Sequence, residues 1–177
     1  MLQEAPTIRI DDRPPSRCAP PDRVTLRPVQ RSDLPVLFEQ QLDPESNRMA
    51  VSNPRSRAAF YAFWEGALGD EAVVARVIVV AGEIVGSISV FPSGAQDHVG
   101  YWIGRRHWGR GFATLALQRL LAEVPRRPLH ACVARSNIAS TRVLQRCGFV
   151  IIAYRMSVAT ERFPACEEAI LVLNAPS

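Results

Sequence analysis

The chain has 177 residues, 47% of them hydrophobic, and its 21 basic and 17 acidic side chains leave a net charge of +4. That length and apolar content suit one domain with a sizeable core, and so small a charge excess argues against a dedicated nucleic-acid binder. Cys18, Cys132, Cys147 and Cys166 are scattered without a C-x-x-C pair, and only Cys132 has a histidine nearby, His130, so they read as free thiols in the reducing cytoplasm, with no metal site.

Residues 1–22 hold Pro6, Pro14, Pro15, Pro20 and Pro21 among charged side chains, with no apolar run long enough for a signal peptide or a membrane span. They predict a flexible proline-rich leader, followed by one domain over residues 23–175 and no membrane partner. Residues 24–28 form a short strand. Ser32 is placed to cap a helix that tolerates Pro35 in its first turn and runs to Leu42. Residues 43–52 are polar and read as an irregular connection. Asn53 and Pro54 then open a second helix as cap and first position, continued through residues 58–68.

Two β-rich runs, residues 72–81 and 84–91, flank Gly82 and Glu83 as an antiparallel hairpin, and a turn at 92–97 leads into a strand at 98–103. Residues 112–123 carry apolar positions at helical spacing. Pro125 and Pro128 break the chain before a strand at 129–134, and a helix opening within 135–140 ends at Cys147, where Gly148 is its left-handed stop. Residues 149–159 and 167–174 are the last strands. The pattern predicts an α/β (α+β) fold: a mixed, mostly antiparallel sheet of about seven strands with helices on both faces.

The chemistry concentrates at residues 100–114, GYWIGRRHWGRGFAT, where a strand, a glycine-bearing turn and a helix start follow one another. Amides of such a turn and of the first helical turn lack partners within the helix, so they converge with the positive end of the helix dipole on an anion placed there. Gly109 and Gly111 supply the positive φ that an amide nest needs and keep no Cβ between backbone and ligand. Neither the G-x-G-x-x-G dinucleotide fingerprint nor the G-x-x-x-x-G-K-[ST] phosphate loop is present.

The spacing Arg106-x-x-Gly109-x-Gly111, followed by Ala113 and Thr114, resembles the acyl-coenzyme A pyrophosphate loop of the GNAT superfamily of N-acetyltransferases. The Tyr-Trp-Ile-Gly lead-in and the Trp-Gly-Arg-Gly-Phe-Ala-Thr core are most similar to the Rim-type branch, which acetylates N-termini of ribosomal proteins. The resemblance implies acetyl-CoA as co-substrate, no metal, a GNAT fold, and a homodimer as a common assembly. It implies a cofactor site built from Trp102, Ile103, Arg105, Arg106, Gly109, Arg110, Gly111, Phe112, Ala113, Thr114, Asn137 and Ser140. Arg135 and Arg142 flank the later helix as further phosphate candidates. Trp102, Trp108 and Phe112 also read as packing residues, and His107 and His130 as structural ones. The superfamily walls its acceptor pocket with its first two helices, which makes residues 44–53 either a specificity loop or a solvated connection.

A second constellation is Asn137-x-x-Ser140-x-x-x-Leu144-x-x-x-Gly148-Phe149. Asn137 and Ser140, three apart, share a face at a helix start. Either Ser136 or Asn137 can simply cap that helix. Under the resemblance, the asparagine binds the pantetheine arm and the later residues meet the thioester sulfur. Many members carry tyrosine where this chain has Leu144, as proton donor to the departing thiolate. Here Ser140 is the candidate donor.

The expected reaction is direct attack of a neutral primary amine on the acetyl carbonyl, with a strand N–H near residues 102–104 stabilising the oxyanion. Asp97, His98 and Glu45 are candidate bases, Asp97 foremost, although nothing local separates a base from a surface charge. An α-amine titrates at about 7.7–8.0 and a lysine amine near roughly 10.4, so the lack of an obvious base favours a protein or peptide N-terminus. The other readings are a small-molecule amine such as an antibiotic, polyamine or amino acid, and a silent acyl-CoA sensor.

Overall fold

The computed structural model describes residues 24–175. The leader expected at 1–22, Cys18 included, lies outside the described residues. The elements are β1 (Val24–Pro28), α1 (Leu34–Gln41), α2 (Pro44–Ala50), α3 (Arg57–Gly69), β2 (Val74–Val80), β3 (Glu83–Ser93), β4 (Gln96–Ile103), α4 (Phe112–Glu123), β5 (Leu129–Ala134), α5 (Ile138–Arg146), β6 (Val150–Met156) and β7 (Glu167–Leu173), with short 3-10 turns at Arg31–Asp33 and Arg105–His107.

The strands form one sheet in the order β1-β2-β3-β4-β5-β7-β6. Every neighbouring pair is antiparallel except β4 and β5, the pair joined through α4. The β2–β3 hairpin turns on Ala81 (φ 51°) and Gly82 (φ 81°), the two positive φ values a two-residue turn of matching twist requires.

Period-2 alternation in β2 sends its side chains to two cores. Val74, Ile78 and Val80 join Phe112, Leu117, Leu120, Leu144 and Phe149 under α4 and α5. Ala75, Val77 and Val79 pack with Leu34, Phe38, Phe60 and Trp64 of α1 and α3. Arg76, on the α4 side, pairs with Glu123 at the end of that helix. The sheet thus carries helices on both faces, as the sequence pattern predicts.

Local signals place α4, β5 and the α5 stop well. Phe112, Ala116, Leu117 and Leu120 form the buried stripe of α4. At the end of α5, Gly148 (φ 91°) donates its N–H to the Gln145 carbonyl at 3.0 Å and Phe149 donates to the Leu144 carbonyl at 3.1 Å, a Schellman closure with two buried apolar side chains, Phe149 and Leu144, across it.

The region before β2 differs from expectation in three places. Residues 43–52 are not irregular: Asp43 caps α2 by accepting the Ser46 N–H at 2.7 Å, with Pro44 at its first position. Asn53 and Pro54 do not start α3, whose cap is Ser56, accepting from Ala59 N–H at 3.2 Å. Ser32 does not cap α1. It lies in the preceding 3-10 turn, where the Asp33 carboxylate accepts the Gln30 N–H at 2.8 Å and a bidentate pair of bonds from Arg27 at 2.7 and 2.8 Å. The Arg27 guanidinium holds the Asp33 carboxyl below its ordinary range.

Candidate active site between the diverging strands

β4 and β5 pair only at Asp97↔Leu129 and His98↔His130. Beyond that point they part, although β4 continues to Ile103 and β5 to Ala134. The β3 side of β4 stays fully paired through Gly86↔Ile103. The parted edge therefore leaves backbone groups and a cleft in the middle of the sheet.

Tyr101 and Trp102 point to opposite faces at this split. Tyr101 packs with the core under α4 and α5, whereas Trp102 donates its indole Nε1 to the Gln40 carbonyl of α1 at 3.1 Å. The Tyr101 hydroxyl lies 2.8 Å from Ser140 Oγ and donates to the Ser140 carbonyl at 3.2 Å. Burial pushes the Tyr101 phenol up to about 12. It stays protonated across the neutral range.

Two cavities meet here. A narrow one of about 510 Å³ lies along the α4 and α5 starts, and a wide one of about 780 Å³ lies toward α1 and α3. Tyr101, Trp102, Asn137, Ser140 and Ala50 line both.

The narrow cavity brings together most of the predicted cofactor residues: Trp102, Ile103, Gly109, Gly111, Phe112, Ala113, Thr114, Asn137 and Ser140. Gly109 (φ 73°) and Gly111 (φ 78°) adopt the left-handed backbone of an amide nest, and a Cβ at either would enter open space. Gly111 caps α4 without a side chain, and the first helical bond is Leu115 N–H to the Gly111 carbonyl at 3.1 Å. The amides of residues 112–114 are thus aimed along the helix axis at the cavity they line. Thr114 Oγ1 has no hydrogen-bond partner.

Arg105, Arg106 and Arg110 line neither cavity. Arg105 faces Asp43 at 3.7 Å, and Arg106 pairs with Glu83 and donates to His107 Nε2 at 3.0 Å. Arg142 and Arg146 of α5 line the narrow cavity instead. Arg146 was not singled out in the sequence, since a basic residue in a last helical turn reads as dipole complement. Arg135 pairs with Glu167 at 2.7 Å.

Asn137 caps α5, its Oδ1 accepting the Ser140 N–H at 3.1 Å. The capping reading is thus observed, and it leaves the amide Nδ2 for the cleft. Among the candidate bases, Asp97 lines neither cavity and lies 3.5 Å from Arg126, and Glu45 is held by Arg48 at 2.6 Å. His98 lines the wide cavity, with its pKa lowered by burial and by neighbouring His130 and Arg155. Trp108 is 39% exposed at the narrow cavity, so it is not a core residue, whereas Phe112 at 3% is one.

The expected specificity segment contributes through α2 and its flank, with Ala50 and Val51 at the wide cavity and Ser46 and Met49 at the narrow one. Tyr101 was legible only as a strand residue. Alternation assigns it a face but not a partner 39 residues away. Among the described residues no cluster of three His, Cys, Asp or Glu is placed to hold a metal, and no helix is long and apolar enough to cross a membrane.

The sheet is parted between its two parallel strands, with the glycine turn and the α4 start on one side of the split and a cavity lined by aromatic side chains on the other. The acetyltransferase (GNAT) domain model matches residues 23–150, and the chain belongs to this family. The uncharacterized N-acetyltransferase p20 of Bacillus licheniformis is 28% identical over 109 residues, 56% of this chain and 61% of its own length, so the match spans less than two thirds of that relative. Spermidine N-acetyltransferase from Vibrio cholerae, in complex with CoA and spermine, matches at 17% identity with a TM-score of 0.75, covering 86% of this chain and 96% of its own. RimL, a ribosomal L7/L12 α-N-protein acetyltransferase in complex with coenzyme A, matches at 18% identity with a TM-score of 0.73, covering 86% of this chain and 94% of its own. At these identities the two solved structures establish the GNAT fold.

Proposed function

We propose that the chain is an N-acetyltransferase of the Rim type, moving the acetyl group of acetyl-CoA to the α-amine of a peptide or protein N-terminus by direct attack. The observation that carries this reading is the meeting of the two cavities at the Tyr101–Ser140 pair. One cavity has the backbone amides and basic side chains an anionic diphosphate carrier needs, and the other is an enclosure for a second molecule.

In the proposed step the amine nitrogen forms a bond to the thioester carbon, the carbon–sulfur bond breaks, and the amine loses one proton while the thiolate gains one. Ser140 Oγ–H gives its proton to sulfur and is replenished through the Tyr101 hydroxyl, which recovers a proton from solvent as the amine proton is released to it. Gly104 N–H is bound to the Val85 carbonyl at 2.9 Å, and strand alternation turns Trp102 N–H the same way. Ile103 is the residue of the expected range whose N–H faces the split, and it is assigned as oxyanion donor. His98, neutral near pH 7 and lining the wide cavity, replaces Asp97 as the group that takes the amine proton. Placement supplies most of the rate, up to about 7–11 kcal/mol for well-oriented reactants.

A small amine is the second reading, favoured by a cavity volume of about 780 Å³ that suits a single enclosed ligand. Thiol release from acetyl-CoA across a panel of peptides and small amines tests both. Release with N-terminal peptides above all supports the first reading, and release only with small amines supports the second. CoA binding without release from any amine, by wild type as by Ser140→Ala, refutes catalysis.

A further inference from the structure

We propose that the acceptor carries a carboxylate that Arg55 and Arg162 bind together in the wide cavity. This deepens the transfer reading above and rests on it only for the identity of the cavity as the acceptor site.

Two loops far apart in sequence are tied so that both guanidinium groups reach that cavity. Asn53 donates its backbone N–H to the Arg162 carbonyl at 2.8 Å and its Nδ2 to the Glu161 carbonyl at 2.9 Å. The Gln41 side chain grips Arg55 from both sides, accepting its N–H and donating to its carbonyl, each at 2.9 Å. The Arg55 guanidinium lies 4.1 Å over the Phe63 ring, and that of Arg162 lies 5.7 Å over Trp102 and 5.4 Å over Phe163. Trp102 belongs to the junction of the cavities, so the anion site adjoins the reaction centre.

The charges are left unmatched. Exposed arginines such as Arg31 and Arg48 have carboxylates at 2.5 and 2.6 Å, yet neither Arg55 nor Arg162 pairs with a carboxylate among the described residues. Arg162 Nη1 reaches the amide oxygen of Asn47 at 3.3 Å, and its buried Nε has no partner. The carboxylates on the cavity wall are committed elsewhere: Asp70 accepts from Ala72 N–H at 2.9 Å and Glu168 lies 3.5 Å from Arg155. Burial lowers both arginines, Arg162 to about 10, and the charge of Arg55 contributes to that fall. Two desolvated like charges over aromatic faces are a standing cost that a bound anion removes, and they repel a polycationic amine.

The test compares leucine and glutamate with their α-amides, N-terminal peptides whose second residue is acidic or neutral, and spermidine, in the full chain. Removing the carboxylate is expected to lower kcat/KM about 10- to 100-fold, mostly through KM. The double variant Arg55→Gln/Arg162→Gln should erase that preference, and Arg57→Gln, outside both cavities, should keep it. Preference among free amino acids identifies an α-carboxylate, and preference among peptides alone identifies an acidic side chain. A second readout needs no turnover: N-acetyl-leucine, or an N-acetylated peptide with an acidic second residue where only peptides show the preference, should raise the melting temperature of wild type and not of the double variant, while the matching amide raises neither. Equal use of amides or spermidine, or equal shifts by acid and amide, overturns the anion site while leaving acetyl transfer intact. Failure to acetylate any amine, with the carboxylate-specific shift retained, refutes the transfer reading instead.

Discussion

Tyr101→Phe, alone and combined with Ser140→Ala, isolates the proton path. The substitution removes one oxygen and leaves the ring packed against the core, so what is lost is the 2.8 Å bond to Ser140 Oγ and the 3.2 Å bond to its carbonyl. A net worth of about 1–1.5 kcal/mol for such bonds corresponds to a roughly tenfold fall in kcat. Ser140→Ala removes the donor itself. A thiolate leaves readily near neutral pH, so the loss should sit at the low end of general-acid effects, about a hundredfold. Because Tyr101 acts through Ser140, the double variant should be no slower than Ser140→Ala. The assay is thiol release at saturating acetyl-CoA and amine, with CoA affinity measured separately and expected to stay unchanged for Tyr101→Phe. A phenol pushed to about 12 also predicts no loss of rate from its ionisation near pH 10. Losses that multiply in the double variant, or full kcat in Ser140→Ala, refute the relay.

Three further outcomes follow from the geometry. A Cβ at Gly86 would lie 2.0 Å from the Trp102 carbonyl oxygen, backbone against backbone, so Gly86→Ala should destabilise by about 2–3 kcal/mol and displace β4, read as a lower melting temperature with reduced kcat; a variant as stable and active as wild type contradicts the close approach. Gly111→Ala meets no atom but must hold φ 78°, costing about 1–2 kcal/mol, and its methyl enters the cavity beneath the amide nest. CoA affinity should fall well beyond what that stability loss explains, and an unchanged Kd removes the nest from the site. His98 and His107 both have lowered folded-state values, so below about pH 6.5 the unfolded chain binds more protons than the folded one. Stability should be full above that pH and decline as pH falls through the folded values. A flat melting temperature from neutral pH to below that range counts against buried neutral imidazoles.

The parts of the molecule decided by a few adjacent residues were open to reading from the chain alone. The α4 stripe from Phe112 to Leu120, the β2–β3 turn at Gly82 and the α5 stop at Gly148 each depend on periodicity or on one backbone conformation. The glycine turn at 109–111 was legible for the same reason, since Gly109 and Gly111 take the positive φ expected of them. Residues 43–52 mark the limit of such signals. Their polar composition suggested a loop, but Asp43 at the cap, Pro44 after it and Asn47 bound to the Gln41 and Asp43 carbonyls make a helix whose buried face is polar.

Tertiary structure alone decided the pairings. Tyr101 meets Ser140 because β4 and α5 flank the split, and Arg55 reaches the same cavity as Arg162 because Asn53 ties two distant loops. The parting of β4 from β5 after His98 is a property of register across the sheet, written in no single strand. Local propensity acts over one or two turns of chain, whereas charge, burial and proton affinity at this site are set by neighbours that only the folded packing supplies.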